Sequence, residues 1–156
     1  MDETRQKMKI KEELYIACES FVVDKRSTLD HIMTSNQRAL ENESKSSAGD
    51  KHETGRAMLH LEMEKASQQI QVIAAMQEIL KKIDFRGVSD HGKLGSLILT
   101  DQGNYFLAIS AGLIKIENQA FYAVSASSPI GRQLLGKKSG SVISIGEKEI
   151  QILDVL

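Results

Sequence analysis

The segment LHLEMEKASQQIQVIAAMQEILKKI, residues Leu59–Ile83, determines how the first half of the chain folds. Apolar residues recur in it every seven positions and again three positions later, at Leu59, Ala66, Ile73, Leu80, Met76 and Ile83. This spacing is typical of a heptad seam, the stripe along which one helix packs against another. The segment therefore predicts a long helix that lies against a second helix.

The second helix is predicted upstream, over about residues 9–44, where a matching apolar stripe occurs. Its members are Leu14, Cys18, Phe21, Val22, Leu29, Ile32, Met33 and Leu40. A short polar segment, Ser46–Asp50, separates the two helical patterns, and a short connection makes two helices antiparallel neighbours. We therefore expect an antiparallel two-helix coiled coil over residues 1–86, with its turn near residues 46–55.

The second half of the chain has the composition of a strand-rich domain, because nine of the eleven glycines lie from Gly87 onward. Strands are predicted at residues 96–100, 104–109, 121–125, 141–145 and 148–153, as two hairpins with a single strand between them. Ser128, Pro129 and Gly136 suit the cap, first position and end of a short helix. The fold class predicted is α+β: residues 92–156 form a small antiparallel sheet packed on one short helix.

Composition and motifs exclude several classes of protein. The 156 residues carry 20 basic and 21 acidic side chains, a net charge of -1, which argues against coating nucleic acid by bulk charge. One cysteine excludes a disulfide framework and a four-cysteine zinc site. No apolar run approaches the roughly 20 residues that span a bilayer, and no signal core follows the amino terminus, so we expect a cytoplasmic protein without a membrane partner.

The sequence contains no phosphate-binding glycine loop, nucleophile elbow or zinc pattern. We therefore expect a protein that is not an enzyme with its own active site and that needs no cofactor or metal of its own. Cys18 falls on the apolar stripe, as a small core residue would, and His31, His60 and His91 are scattered as surface residues are.

Two acidic residues at the predicted turn, Asp50 and Glu53, have two interpretations. They have the spacing of a capping box, with Asp50 as the cap of the second helix and Glu53 at its third position. They also occupy the polar end of a long hairpin, where a protein places groups that reach a partner. His52 lies between them, but residues so close in sequence cannot easily all face one metal ion.

Basic residues fall at the opposite end of the predicted hairpin: Lys7, Lys11, Lys81, Lys82 and Arg86. Antiparallel helices would bring the two groups together. They form either a solvated face or a patch that meets a nucleic-acid strand.

One segment of the second half of the chain resembles the sequence signature of a known protein family. Residues 123–142, AVSASSPIGRQLLGKKSGSV, closely resemble the carboxy-terminal signature of the bacterial transcript cleavage factors GreA and GreB. That signature has a strand, Ser-Pro-(Ile/Met)-(Ala/Gly)-Arg-Ala-Leu-(Leu/Ile)-Gly-Lys, and a turn into another strand. Leu94–Ser96 and Ile150–Val155 are similar to the first and last segments of the same domain, so the resemblance covers residues 94–155.

The resemblance implies a function and partners. Gre factors carry a coiled coil joined to a domain of the FK506-binding-protein (FKBP) type, which docks on RNA polymerase at its secondary channel. By resemblance, Ser127, Ser128 and Pro129 contact polymerase, and Asp50 and Glu53 enter its active site, share its magnesium and promote cleavage of backtracked RNA. The nascent RNA 3′ end is then an indirect partner, and we expect a monomer.

Two alternatives remain. The Gre tip typically reads Gly-Asp-Leu-(Lys/Ser)-Glu-Asn-Ala-Glu-Tyr; this chain keeps Gly49, Asp50 and Glu53 but differs at residues 54–57. A Gre-like regulator that enters the channel without promoting cleavage would fit that difference. The other alternative is an FKBP-type peptide-binding module or prolyl isomerase. The small number of aromatic residues argues against this alternative.

Overall fold

The amino-terminal half forms the long helices that the heptad spacing predicts. The computed structural model describes the backbone of residues 2–44 and 50–156, and their side chains except at residues 44 and 50–52. Helix α1 spans Asp2–Ser44 and helix α2 spans Asp50–Lys81, and the two are antiparallel. Helix α1 begins seven residues before the predicted start at Lys9, because no glycine or proline interrupts it and Asp2 and Glu3 suit a helix amino terminus.

Packing divides the chain into two units. One consists of Val22–Gln77, and the other of Met1–Phe21 together with Glu78–Leu156. This division cuts through both helices, whereas the sequence places the domain boundary between residues 86 and 92. That boundary stays a prediction. Of the predicted turn at residues 46–50, only the backbone of Asp50 belongs to the described residues.

The unit Val22–Gln77 is a pair of helices with a thin core. Val22 and Leu29 of α1 and Ala66 and Ile73 of α2 are buried, as the heptad spacing predicts. Asn36 is also buried, and its Nδ2 donates a hydrogen bond of 3.3 Å to Oε2 of Glu62. This part of the seam is therefore polar, since a buried amide needs a hydrogen-bond partner.

The other unit contains a mixed sheet, which has six strands within the described residues. They are β1 Leu97–Thr100, β2 Asn104–Ala108, β3 Gly112–Ile116, β4 Gln119–Ser125, β5 Val142–Ile145 and β6 Lys148–Val155. The strand order is β3-β4-β2-β1-β6-β5. Helix α3 spans Pro129–Leu134, as predicted, and buries Leu134 against Ile98, Ile143, Ile150, Ile152 and Val155.

The prediction of an antiparallel sheet is wrong at one pair of strands, since β2 and β4 are parallel. The cause is strand β3, which the sequence analysis missed. It turns back into β4 through Glu117 and Asn118, both of which have positive φ, and so leaves β4 to run parallel to β2. Asparagine tolerates positive φ, but glutamate rarely adopts it and no glycine is present, so Glu117 and Asn118 give only a weak signal for the turn.

No helix within residues 2–44 and 50–156 has the length and apolar character needed to cross a membrane.

Candidate functional site

The acidic pair predicted at the hairpin turn lies at the start of α2. Asp50 is the first residue of that helix and Glu53 lies one turn later, where its side chain is exposed. Carboxylates are favoured at this position because the amino terminus of a helix carries partial positive charge. The side chain of Asp50 lies outside the described residues, so both its role as a cap and its role as a ligand stay predictions.

A third carboxylate of this region was not identified from the sequence. A Cβ added to Gly55 of α2 would lie 3.4 Å from Oε1 of Glu43 in α1. Glu43 is therefore close to the first turns of α2, although it lies ten residues before Glu53 along the chain. Only the pairing of the two helices brings it there, which is why the spacing of residues in α2 gives no sign of it.

The predicted docking residues form a hydrogen-bonded loop between β4 and α3. Oγ of Ser128 accepts a hydrogen bond of 3.1 Å from the Gly131 amide and donates one of 2.6 Å to the carbonyl of Ser125. Ser128 therefore caps α3, as predicted. The hydroxyls of Ser125 and Ser127 lie 2.8 Å apart, and Oγ of Ser125 also accepts from the Ser127 amide. The loop exposes Ser127 and Pro129, while Ser128 is half-buried.

The same loop depends on Gly131, whose role the sequence analysis missed. A Cβ at this position would lie 1.9 Å from the carbonyl oxygen of Ser125, closer than any side chain could approach. The first turn of α3 therefore packs directly against the end of β4. A glycine inside a predicted helix is the signal that could have indicated this contact.

The predicted basic patch needs one correction, at Lys11. Its side chain is 2% exposed, and its Nζ donates hydrogen bonds to the carbonyls of Gly87 at 2.8 Å and Leu156 at 3.2 Å. A buried ammonium that is bonded to the protein cannot face a nucleic-acid strand. Burial lowers the pKa of Lys11, and the nearby charge of Lys93 lowers it further, whereas Asp84 opposes this change.

Lys7 also forms an internal contact, because its Nζ lies 2.5 Å from Oδ2 of Asp154 in β6. Three of the predicted basic residues stay exposed: Lys81, Lys82 and Arg86. Lys81 pairs with Glu78 at 3.1 Å, and the guanidinium of Arg86 lies 5.6 Å from the centre of the Phe85 ring. Whether these three face nucleic acid stays a prediction.

The structure confirms the interpretation of Cys18 as a core residue. The side chain is fully buried, and burial raises the pKa of its thiol to about 12. A thiol that stays protonated is a poor nucleophile. His31, His60 and His91 are exposed, as predicted.

Within the described residues, no three His, Cys, Asp or Glu side chains lie together as metal ligands would. The side chains of Asp50 and His52 are not among the residues to which this statement applies.

Comparison with protein-family models and with curated proteins gives no match for this chain. Its arrangement of two long antiparallel helices followed by a mixed six-stranded sheet is compatible with that of Gre-like factors.

Proposed function

We propose that this chain is a Gre-type factor of the cytoplasm that binds RNA polymerase and stimulates magnesium-dependent cleavage of backtracked RNA. The observation that carries the proposal is the resemblance of residues 123–142 to the Gre signature. In this chain that segment contains the capped start of α3, and it follows a helical hairpin whose second helix begins at Asp50. The helices would enter the secondary channel, and the sheet domain would dock at the channel mouth.

The acidic pair would act in the active site of polymerase. Hydrolysis of an RNA backbone by two metal ions needs oxygen ligands for the second magnesium and an oriented attacking water. Residues three apart in a helix are neighbours along its surface, and Asp50 and Glu53 of α2 have this spacing. Together they would supply carboxylate oxygens to that magnesium, while polymerase supplies the first metal and the RNA.

The loop before α3 supports the docking part of the proposal. Ser127 and Pro129 are exposed on a turn held by the hydrogen bonds of Ser125 and Ser128. A turn fixed in this way presents side chains to a partner with little loss of conformational entropy on binding.

A second candidate function is a Gre-like regulator that occupies the same channel without promoting cleavage. The observation in its favour is the difference from the Gre tip at residues 54–57, directly after Glu53. An FKBP-type peptide-binding module is a third candidate, and a prolyl isomerisation assay on a model peptide would detect it.

The test of cleavage combines Asp50→Asn with Glu53→Gln on a backtracked elongation complex. We expect the double variant to lose stimulated RNA cleavage and to keep polymerase binding, because the amides preserve size but remove both negative charges. Asparagine is also a good helix cap, so the stability should fall by at most about 1 kcal/mol. Shortened 3′ RNA is measured over a magnesium series, beside a polymerase pull-down.

Glu64→Gln is the matched control. This exposed carboxylate lies eleven residues beyond Glu53 in α2, or about 16 Å along the helix, and should leave cleavage unchanged. Equal cleavage by wild type and double variant, above the background of polymerase alone, would refute the role of the acidic pair. A wild type that binds polymerase but never stimulates cleavage would favour the regulator instead.

A further inference from the structure

A polar residue interrupts the apolar stripe with which α1 packs against α2. Val22, Leu29 and Asn36 follow one another at intervals of seven residues, and all three are buried. The first two are apolar, as is typical of a heptad seam, whereas the third is a carboxamide. An asparagine at a seam position lowers the stability of a coiled coil but specifies how its helices align.

The hydrogen-bond partner of Asn36 lies in the facing helix. Nδ2 of Asn36 donates a hydrogen bond of 3.3 Å to Oε2 of Glu62 in α2. Glu62 has the same heptad position as Met76 and Ile83, although Glu62 as a whole is exposed. The contact is therefore a polar layer of the seam, in which a directional bond takes the place of apolar packing.

This polar layer contains the last buried side chain of the seam before the hairpin turn. Among residues 37–43 and 53–61, whose side chains the structure describes, none is buried. The apolar residues in this stretch, such as Leu40 and Leu59, are half-buried. Apolar packing therefore contributes little to the alignment of the two helices near the turn.

A second contact has the same alignment and lies closer to the turn. Glu43 follows Asn36 by seven residues, and Gly55 precedes Glu62 by seven residues. Oε1 of Glu43 lies 3.4 Å from the position that a Cβ on Gly55 would have. The two contacts thus share one register and lie one heptad apart. Helix α2 begins at Asp50, five residues before Gly55.

A hydrogen bond fixes the alignment of two helices more strictly than apolar packing does. Apolar side chains of a heptad seam find apolar neighbours again when one helix slides by a heptad, about 10 Å. The carboxamide of Asn36 would instead lose its acceptor, and an unpaired polar group in a buried position is destabilising.

We propose that Asn36 is a positioning residue, whose hydrogen bond to Glu62 fixes the alignment of α1 and α2 next to the hairpin turn. The consequence for cleavage rests on the proposed function, in which Asp50 and Glu53 have to meet a magnesium ion. A displacement of about 1 Å strongly reduces the effect of a catalytic group. The alignment itself is measured without polymerase.

The first test measures the alignment in the full chain by distances between two spin labels. They are attached at Glu41→Cys and Lys65→Cys, which replace exposed residues on opposite sides of the Asn36–Glu62 contact along the hairpin. Cys18 is fully buried and stays unlabelled. Labelled chains diluted into unlabelled protein report distances within one chain. We expect a narrow distance distribution, and a shifted or broader one after Asn36→Leu.

Two variants are matched controls, and both should keep the narrow distribution. Glu62→Gln retains an oxygen that accepts the hydrogen bond of Asn36. Gln69→Leu replaces an exposed polar residue by leucine at the same heptad position as Glu62, one heptad farther from the turn. Asn36→Leu should also melt no lower than wild type, because leucine suits a seam position.

The second test measures stimulated RNA cleavage on a backtracked elongation complex as the concentration of the factor is raised. We expect Asn36→Leu to lower the maximal cleavage rate about tenfold or more, because the acidic pair is displaced. The concentration that gives half of the maximal rate should not change, because the sheet domain that would dock is unaltered. Glu62→Gln should cleave as wild type does.

An unchanged distance distribution in Asn36→Leu would overturn the inference, whatever the result with polymerase. A distribution altered equally by Gln69→Leu would overturn it too, since the effect would then not depend on the hydrogen bond. Altered distances with full cleavage would contradict the positioning role. A wild type that never stimulates cleavage would count against the proposed function, while the distances would still decide whether Asn36 sets the alignment.

Discussion

Lys11 shows how the environment of one residue can reverse its expected role. In the sequence, Lys11 is one of several basic residues that occur at every second position near the amino terminus, and it was expected to belong to an exposed basic patch. In the structure its ammonium joins α1 to the carbonyls of Gly87, beyond α2, and Leu156, beyond β6. The ammonium therefore makes hydrogen bonds inside this unit, where the charges of Lys93 and Asp84 act on it.

Replacement of Lys11 tests this internal role. Lys11→Met keeps an unbranched side chain but removes both hydrogen bonds, so we expect the free energy of unfolding to fall by about 1–3 kcal/mol. Lys9→Met changes an exposed neighbour and should have little effect. Urea unfolding followed by circular dichroism measures both.

The stabilities of wild type and Lys11→Met should also depend differently on pH. Burial lowers the pKa of Lys11 below its ordinary 10.5, so the unfolded chain binds this proton more tightly than the folded chain does. Stability then rises with pH between the folded and unfolded pKa values. The stability difference between wild type and Lys11→Met should therefore widen from neutral pH toward pH 10.5. A difference that narrows over this range would contradict the buried placement of the ammonium.

At the scale of elements, the loop between β4 and α3 and the first turn of α3 stabilise each other. Ser128 caps the helix, Gly131 allows its first turn to touch β4, and Pro129 occupies the first helical position. The half-buried serine maintains the turn, whereas Pro129 and Ser127 are exposed. Structural and recognition roles can therefore be separated between neighbouring residues.

Pro129→Ala tests the recognition role. Alanine is tolerated at the first position of a helix, so the variant should keep the circular dichroism spectrum of wild type. We expect a several-fold weaker pull-down of RNA polymerase, because an exposed contact of the loop is lost. Glu149→Ala, which changes an exposed residue of β6, serves as the control. An unchanged pull-down by a folded Pro129→Ala variant would show that docking occurs elsewhere.

At the scale of the whole molecule, the first turns of α1 and the last turn of α2 belong to the unit that contains the sheet. Besides Lys11, the hydroxyl of Tyr15 in α1 donates a 3.1 Å hydrogen bond to the carbonyl of Leu80, and its ring lies 4.9 Å from that of Phe85. Ile10 and Leu14 are buried in the same unit. A fragment that lacks α1 would lose these contacts.

We expect the fragment Gly92–Leu156 to fold alone but to melt below the full chain, because the sheet and α3 keep their own core while the contribution of α1 is lost. The fragment Met1–Asp84 should be the less stable piece, since a two-helix pair with polar residues in its seam buries little apolar surface. Thermal melts of the two fragments and the full chain measure this. The expectation fails if Met1–Asp84 melts as cooperatively and as high as the full chain.

Features that depend on residues near one another along the chain were predictable from the amino-acid sequence. The heptad spacing of Leu59–Ile83 predicts the helix pair, and the Ser128, Pro129 and Gly136 pattern predicts α3. The position of Asp50 and Glu53 at the start of α2 also follows from local spacing. Periodicity and capping are local, so they can be read without knowledge of the fold.

Features that depend on segments distant in the chain became apparent only in the folded protein. The parallel pairing of β2 with β4, the burial of Lys11 and the approach of Glu43 to Gly55 each join residues that are not neighbours in sequence. Hydrogen-bond pairing and desolvation depend on which segments meet in space. The sequence identifies a lysine but not its surroundings. Whether its charge is exposed or buried depends on which segments of the folded chain lie around it.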